Sequence, residues 1–167
     1  QLAWEYLYPN EPLPDFIKYV SDRDLWQFKY EETKPFHAFL CTRPNDVSDW
    51  YAMLHASLNL PEFWPHALDS GKAILNYIDQ TVLNSVKFVK TRNWLGYQGI
   101  PVANCTENIS ETNHQMLKAF PEAKFSSTYA ISANGDVSIS LRSRNNDEFN
   151  VSLLAKSLGG NGHGAAA

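Results

Sequence analysis

Charge, cysteine and long apolar runs are all scarce in this chain, and each scarcity excludes something. Only 19% of its 167 residues are charged, 14 basic against 18 acidic, for a net charge of −4. A basic nucleic-acid scaffold carries the opposite balance, so any contact with a polyanion has to be local. The two cysteines, Cys41 and Cys105, lie far apart and in no metal-ligand spacing, which excludes a disulfide scaffold and a zinc ribbon. The longest weakly charged stretch, 52–68, is interrupted by Pro61, Glu62, Pro65 and two histidines, so nothing there spans a bilayer. No secretory pattern opens the chain, and a cytoplasmic protein is expected. The glycosylation sequons at Asn104, Asn108 and Asn150 carry no weight in that setting. Gly71-Lys72 lacks the upstream glycine and the following hydroxyl of a phosphate-binding loop, and no nucleophile elbow is present. His37, His55, His66 and His114 stand alone in sequence, and packing or surface roles are expected for each.

Apolar material, by contrast, is plentiful. Hydrophobic residues make up 44% and aromatics 13%, enough for a core and too much for a disordered tail. The chain opens within an aromatic run, Leu2 to Tyr8, and stops at Ala167 just after a glycine cluster. Ends of complete domains are usually polar, so a piece of a longer protein is expected.

Two kinds of organisation follow one another. Residues 2–8 carry apolar groups on every side, which suits the end of a buried helix, and Pro9, Pro12 and Pro14 stop it. Asp15 is expected to cap a short helix through Phe16, Ile17, Tyr19 and Val20. Two short helices with loops are expected over 31–70. From Ser70, Ile74, Leu75, Ile78, Val82, Val86 and Val89 keep helical spacing, predicting a connecting helix over about 71–90. Beyond it the spacing predicts strands at 94–97 and 100–104 turning at Gly99, then a helix over 110–119. Strands at 127–132 and 136–143 follow around Asn134-Gly135, and a helix from the Asn150 cap to Gly159 ends the series. The fold class expected is α/β: a mixed sheet flanked by helices over 94–167, preceded by a mostly helical segment.

Three constellations carry chemistry. Gly159, Gly160, Gly162 and His163 form a segment without bulky side chains directly after a helix. Consecutive free N–H groups in such a loop make an anion nest, and the imidazole adds a donor. A plain helix cap and tail accounts for the same residues. Arg142, with Ser140 and Ser143 beside it at a strand end, suits bidentate recognition of phosphate or carboxylate, against the ordinary solvated charge. Asp22 and Asp24 flank Arg23 before Trp26; two carboxylates there suit a hard divalent cation, against a capping Asp with a surface ion pair.

Taken in order, these residues resemble one family. Gly159-Gly160-Asn161-Gly162-His163 with Ala166-Ala167 resembles the glycine-rich Gly-Gly-Gly-Gly-His-x-x-Ala-Ala motif of the DHH-associated C-terminal domain. Ser140-Leu141-Arg142-Ser143 is similar to that domain's usual strand, and Val151, Ser152 and Ala155 to its last helix. Asp22-Arg23-Asp24-Leu25-Trp26 resembles the end of the catalytic domain in the DHH phosphoesterase superfamily. The resemblance implies three segments: the edge of a catalytic domain at 1–30, a helical connector at 31–93, and the substrate-binding domain at 94–167. It implies substrate contacts from Arg142, Ser143, Gly159, Gly160, Gly162 and His163, and a metal ligand at Asp24. It also implies manganese or another divalent metal in the intact protein, and a short oligonucleotide or nucleotide phosphate as partner. The superfamily's Asp-His-His triplet is absent from these residues, so the fragment alone is expected to be inactive. The alternative class is a non-catalytic nucleic-acid-binding module; an oligomerising appendage, as in some alanyl-tRNA synthetases, is a third.

Overall fold

The computed structural model describes residues 1–145 and 147–167, which form two compact units, Gln1–Tyr77 and Ile78–Ala167. The first unit is helical: α1 (Leu2–Leu7), α2 (Asp15–Asp24), α3 (Thr33–Leu40), α4 (Val47–Asn59) and the first part of α5 (Phe63–Lys87). Its core is aromatic. Phe16 and Tyr19, one turn apart on α2, meet Phe36 of α3 edge-on at 5.1 and 6.0 Å between ring centres, and Phe39, Met53 and Ala67 complete the cluster. On α4, Asp46 caps the helix by accepting the Asp49 N–H at 2.8 Å, and Met53 is the buried side chain.

Gly71 lies where α5 meets α3. A Cβ there would fall on the Pro35 carbonyl, 2.6 Å from its carbon, so no larger residue fits between these two backbones.

Two expectations for this unit are corrected. Helix α1 is not buried: Leu2, Tyr6 and Leu7 are 83%, 85% and 64% exposed. Its apolar residues are spread around the helix, so no single face is selected for burial. Helix α5 begins at Phe63 rather than near 71, because Pro65 falls in its first turn, where the missing N–H costs nothing.

The second unit has the order β1 (Thr91–Trp94), β2 (Tyr97–Asn104), α6 (Ile109–Ala119), β3 (Ser126–Ile131), β4 (Val137–Arg142) and α7 (Val151–Ser157). The sheet order is β1-β2-β3-β4, antiparallel, then parallel, then antiparallel, with α6 as the crossover between the parallel pair. This is the expected α/β class with a mixed sheet and flanking helices. One face carries Ile100, Val102 and Leu141 against Phe125 and α7's Val151 and Ala155; Ala103 lies against Met116 of α6 and Val86. Val102 pairs with Ser127, which pairs with Leu141, so strand alternation puts Thr128 and Arg142 on the α6 side. There Asn113 donates to the Thr128 hydroxyl at 3.0 Å, and the Ser126 hydroxyl donates to the Asn113 carbonyl at 2.9 Å.

The β1–β2 turn is also corrected. It falls at Leu95-Gly96, with φ of 50° and 81°, and Gly99 lies inside β2. A two-residue turn with both φ positive matches the twist of a hairpin, and Leu is a rare choice for its first position.

Candidate functional site

Sequence and geometry converge at the end of β4. Residues 164–167 double back alongside it: Leu141 and Ala167 exchange both backbone hydrogen bonds, at 2.6 and 3.0 Å, and the Ser143 N–H donates to the Ala165 carbonyl at 3.1 Å. Arg142 and Ala166 are therefore direct partners in a narrow pair. Ala166 in turn exchanges both bonds with His163, at 2.7 and 3.1 Å, around the two-residue turn Gly164-Ala165. Cross-strand partners share a face, so Arg142 and His163 flank the small Ala166 on one side of three adjacent backbones. Two strand spacings separate them, about 10 Å. Arg142 is half-buried and His163 exposed.

Gly162 makes this arrangement possible. Its φ is +153°, and a Cβ would sit 2.5 Å from the Ala167 Cβ and 2.8 Å from the Ala166 carbonyl oxygen. Gly159 and Gly160 serve a different purpose. The Gly160 N–H donates to the Ala155 carbonyl at 2.8 Å and the Gly159 N–H to that of Lys156 at 3.1 Å, closing α7 in a Schellman cap.

The expected nest of consecutive free N–H groups is thereby corrected. Those of Gly159 and Gly160 close the helix, that of Gly162 meets the Asn161 side chain at 2.9 Å, and that of His163 pairs with Ala166. The donors left to offer an anion here are on side chains. Ser143 is buried, its hydroxyl directed at the Asn145 and Gly164 carbonyls at 3.2 and 3.5 Å, so it ties the loop to the strand.

Arg144 was overlooked among the candidate residues. Its guanidinium donates to the carbonyls of Ala123, Leu117 and Phe120 at 2.8, 3.0 and 3.1 Å, closing the end of α6 and the turn after it. No sequence signal marks it, because its acceptors are backbone groups 21 to 27 residues away.

The two acidic candidates separate sharply. Asp24 is exposed at the end of α2. Asp22 is buried, and its carboxylate accepts the Thr33 hydroxyl and the N–H groups of Lys29 and Tyr30, at 3.1 and 3.5 Å for the last two. It thus pins a turn in which Trp26 and Phe28 both take positive φ, 56° and 51°, costly for aromatic residues. Burial opposes the charge, yet the Thr33 hydroxyl and the two amides outweigh it and hold the carboxyl below the ordinary range. A lowered folded value means this stabilisation is present above the ordinary carboxylate range and lost as pH falls through the folded value. Asp22→Asn is expected to cost about 1–3 kcal/mol at neutral pH. In urea titrations the gap between parent and variant narrows as pH drops below about 4; a gap independent of pH would show that the carboxylate charge is not what holds the turn.

The described residues do not by themselves complete a divalent-metal site. Asp22 is consumed by its three donors, and among the described residues no three of His, Cys, Asp and Glu converge.

No protein-family model and no solved structure matches the chain. It is 30% identical over 168 aligned positions to "Uncharacterized protein R106" of Acanthamoeba polyphaga mimivirus, covering 97% of this chain and 38% of that protein. The chain thus spans well under half the length of the relative it matches.

Proposed function

We propose that this chain is the C-terminal, substrate-binding portion of a DHH-type metal-dependent phosphodiesterase acting on short nucleic acids or nucleotides. The observation that supports it is the pairing of Ala166 with both Arg142 and His163. Arg142 supplies a planar, permanently charged donor fork and His163 a ring donor, with only a methyl group between them. A phosphate bridging the two is recognised by charge and shape rather than by its base. The glycines carry the loop back to the strand. Hydrolysis in the intact protein needs metal ligands beyond these residues, with Asp24 as the one this chain contributes, and this chain binds and orients the substrate.

Calorimetric titration of AMP and the other three nucleoside monophosphates tests this. Arg142→Ala should weaken binding about tenfold or more, since a charge-assisted contact contributes about 1.5–3 kcal/mol. The loss should be similar for all four bases and smaller at high salt. Unchanged affinity in both Arg142→Ala and His163→Ala would overturn the phosphate site. Under the non-catalytic alternative, the same binding appears while the intact protein fails to hydrolyse a dinucleotide with manganese.

A further inference from the structure

The helical unit contains a cavity of about 340 Å³ that no reading of the sequence anticipated. Three elements build it. Tyr19, Val20 and Arg23 recur at helical spacing on α2, and His37 and Leu40 on α3, with Cys41 capping its end. Arg43 and Asn45 enter from the loop before α4, and Trp50 from α4 itself. The size falls in the range of small-ligand sites, and the architecture is theirs too, an apolar floor with a few converging polar groups.

The chemistry of the walls narrows the occupant. The half-buried Trp50 supplies aromatic surface, with the buried rings of Tyr19 and Phe36 behind it, while the polar residues include two guanidiniums against the single carboxylate of Asp24. On a chain of net charge −4 this is a local reversal of sign. Both guanidiniums are held against rings, Arg23 4.3 Å from the Trp26 ring centre and Arg43 4.5 Å from that of Phe39. Aromatic surface beside arginine is the combination that holds a nucleobase by its face and a phosphate by its charge. The Asn45 amide adds one donor group and one acceptor for a base edge. We infer that this cavity binds a single nucleotide, its base on the aromatic floor and its phosphate between Arg23 and Arg43. The inference goes beyond the site at Arg142 and His163 and does not depend on it.

Cys41 is a built-in reporter. Its thiol lines the cavity, is exposed, and lies 3.6 Å from the His37 Nε2 one turn back. An exposed thiol is open to iodoacetamide, whose iodide the sulfur displaces, and an occupant of the cavity shields it. In the full 167-residue chain carrying Cys105→Ser, Cys41 is the one remaining thiol. Iodoacetamide alkylation of Cys41 is followed by mass spectrometry with AMP, adenosine or inorganic phosphate present.

AMP at about ten times its dissociation constant should slow alkylation about tenfold, as site occupancy requires. Adenosine and inorganic phosphate should each need about tenfold higher concentration for the same protection, since each lacks one half of the contact. Arg43→Ala and the reversed charge Arg43→Glu should both weaken protection by AMP, and Arg142→Ala should leave it intact. No protection by AMP at millimolar concentration overturns the inference, and so does phosphate protecting as well as AMP. Protection that survives both Arg43 variants but disappears with Arg142→Ala also overturns it, and would leave the Arg142–His163 site standing.

Discussion

Gly71→Ala should destabilise the helical unit by about 3 kcal/mol or more, at the upper end of what overpacking costs. Helix propensity alone predicts the opposite sign, since alanine is favoured over glycine by about 1 kcal/mol inside a helix. Contact decides between them. The added methyl lands on the Pro35 carbonyl, and that group is backbone, with no rotamer through which to yield. Relief requires α3 and α5 to part, which loosens Phe36 and Phe39 from the aromatic core. Urea unfolding followed by tryptophan fluorescence reads the loss. A stabilised Gly71→Ala protein would show that the helices separate at little cost and that the close approach is not tight.

Arg144→Ala should cost the second unit about 3 kcal/mol, which is less than the sum of three independent charge-assisted bonds because the three share one cation. Two nitrogens of its guanidinium reach three carbonyls, and Glu148 approaches it at 3.8 Å. Arg144→Lys tests the geometry, because a single ammonium at the end of a flexible stem does not reproduce the planar fork. The lysine variant should recover less than half of the loss. Amide exchange should accelerate at Phe120 and Ala123 before it does in β3. A loss below about 0.5 kcal/mol would make Arg144 an ordinary surface charge.

Local signals were legible and distant ones were not. Asn134-Gly135 gave away its hairpin, and the Asn150 side chain accepts the Ser152 N–H at 3.0 Å as a capping residue should. The strand, strand, helix, strand, strand, helix order of the second unit was readable from periodicity alone. The β1–β2 turn was misplaced because glycine is the expected carrier of positive φ and Leu95 took it as well. The start of α5 lay earlier than its clean periodicity, because Pro65 falls in the first turn, where a proline does not break a helix. Arg142 was visible as a charge between hydroxyls at a strand end. Its pairing with Ala166 was not, since the two lie 24 positions apart and no local pattern encodes the return. The cavity had one overlooked cue: His37 and Cys41 are four apart, hence adjacent on a helix, and counting each alone hid the pair.

The return of residues 164–167 along β4 also governs how the sheet meets other molecules. A sheet is vulnerable where a strand offers unsatisfied backbone groups to a stranger. At one margin that invitation is blunted, since β1 has four residues, carries Arg92 and loses register before Trp94. At the other, β4 would present Leu141 and Ser143 to any passing strand, and the last residues of this chain occupy that place instead. Until they dock, the domain is adhesive along β4, and whatever disturbs Gly162 reopens that margin without unfolding the core. Damage at the glycine loop would then be seen first as self-association, in a protein whose spectrum still looks native.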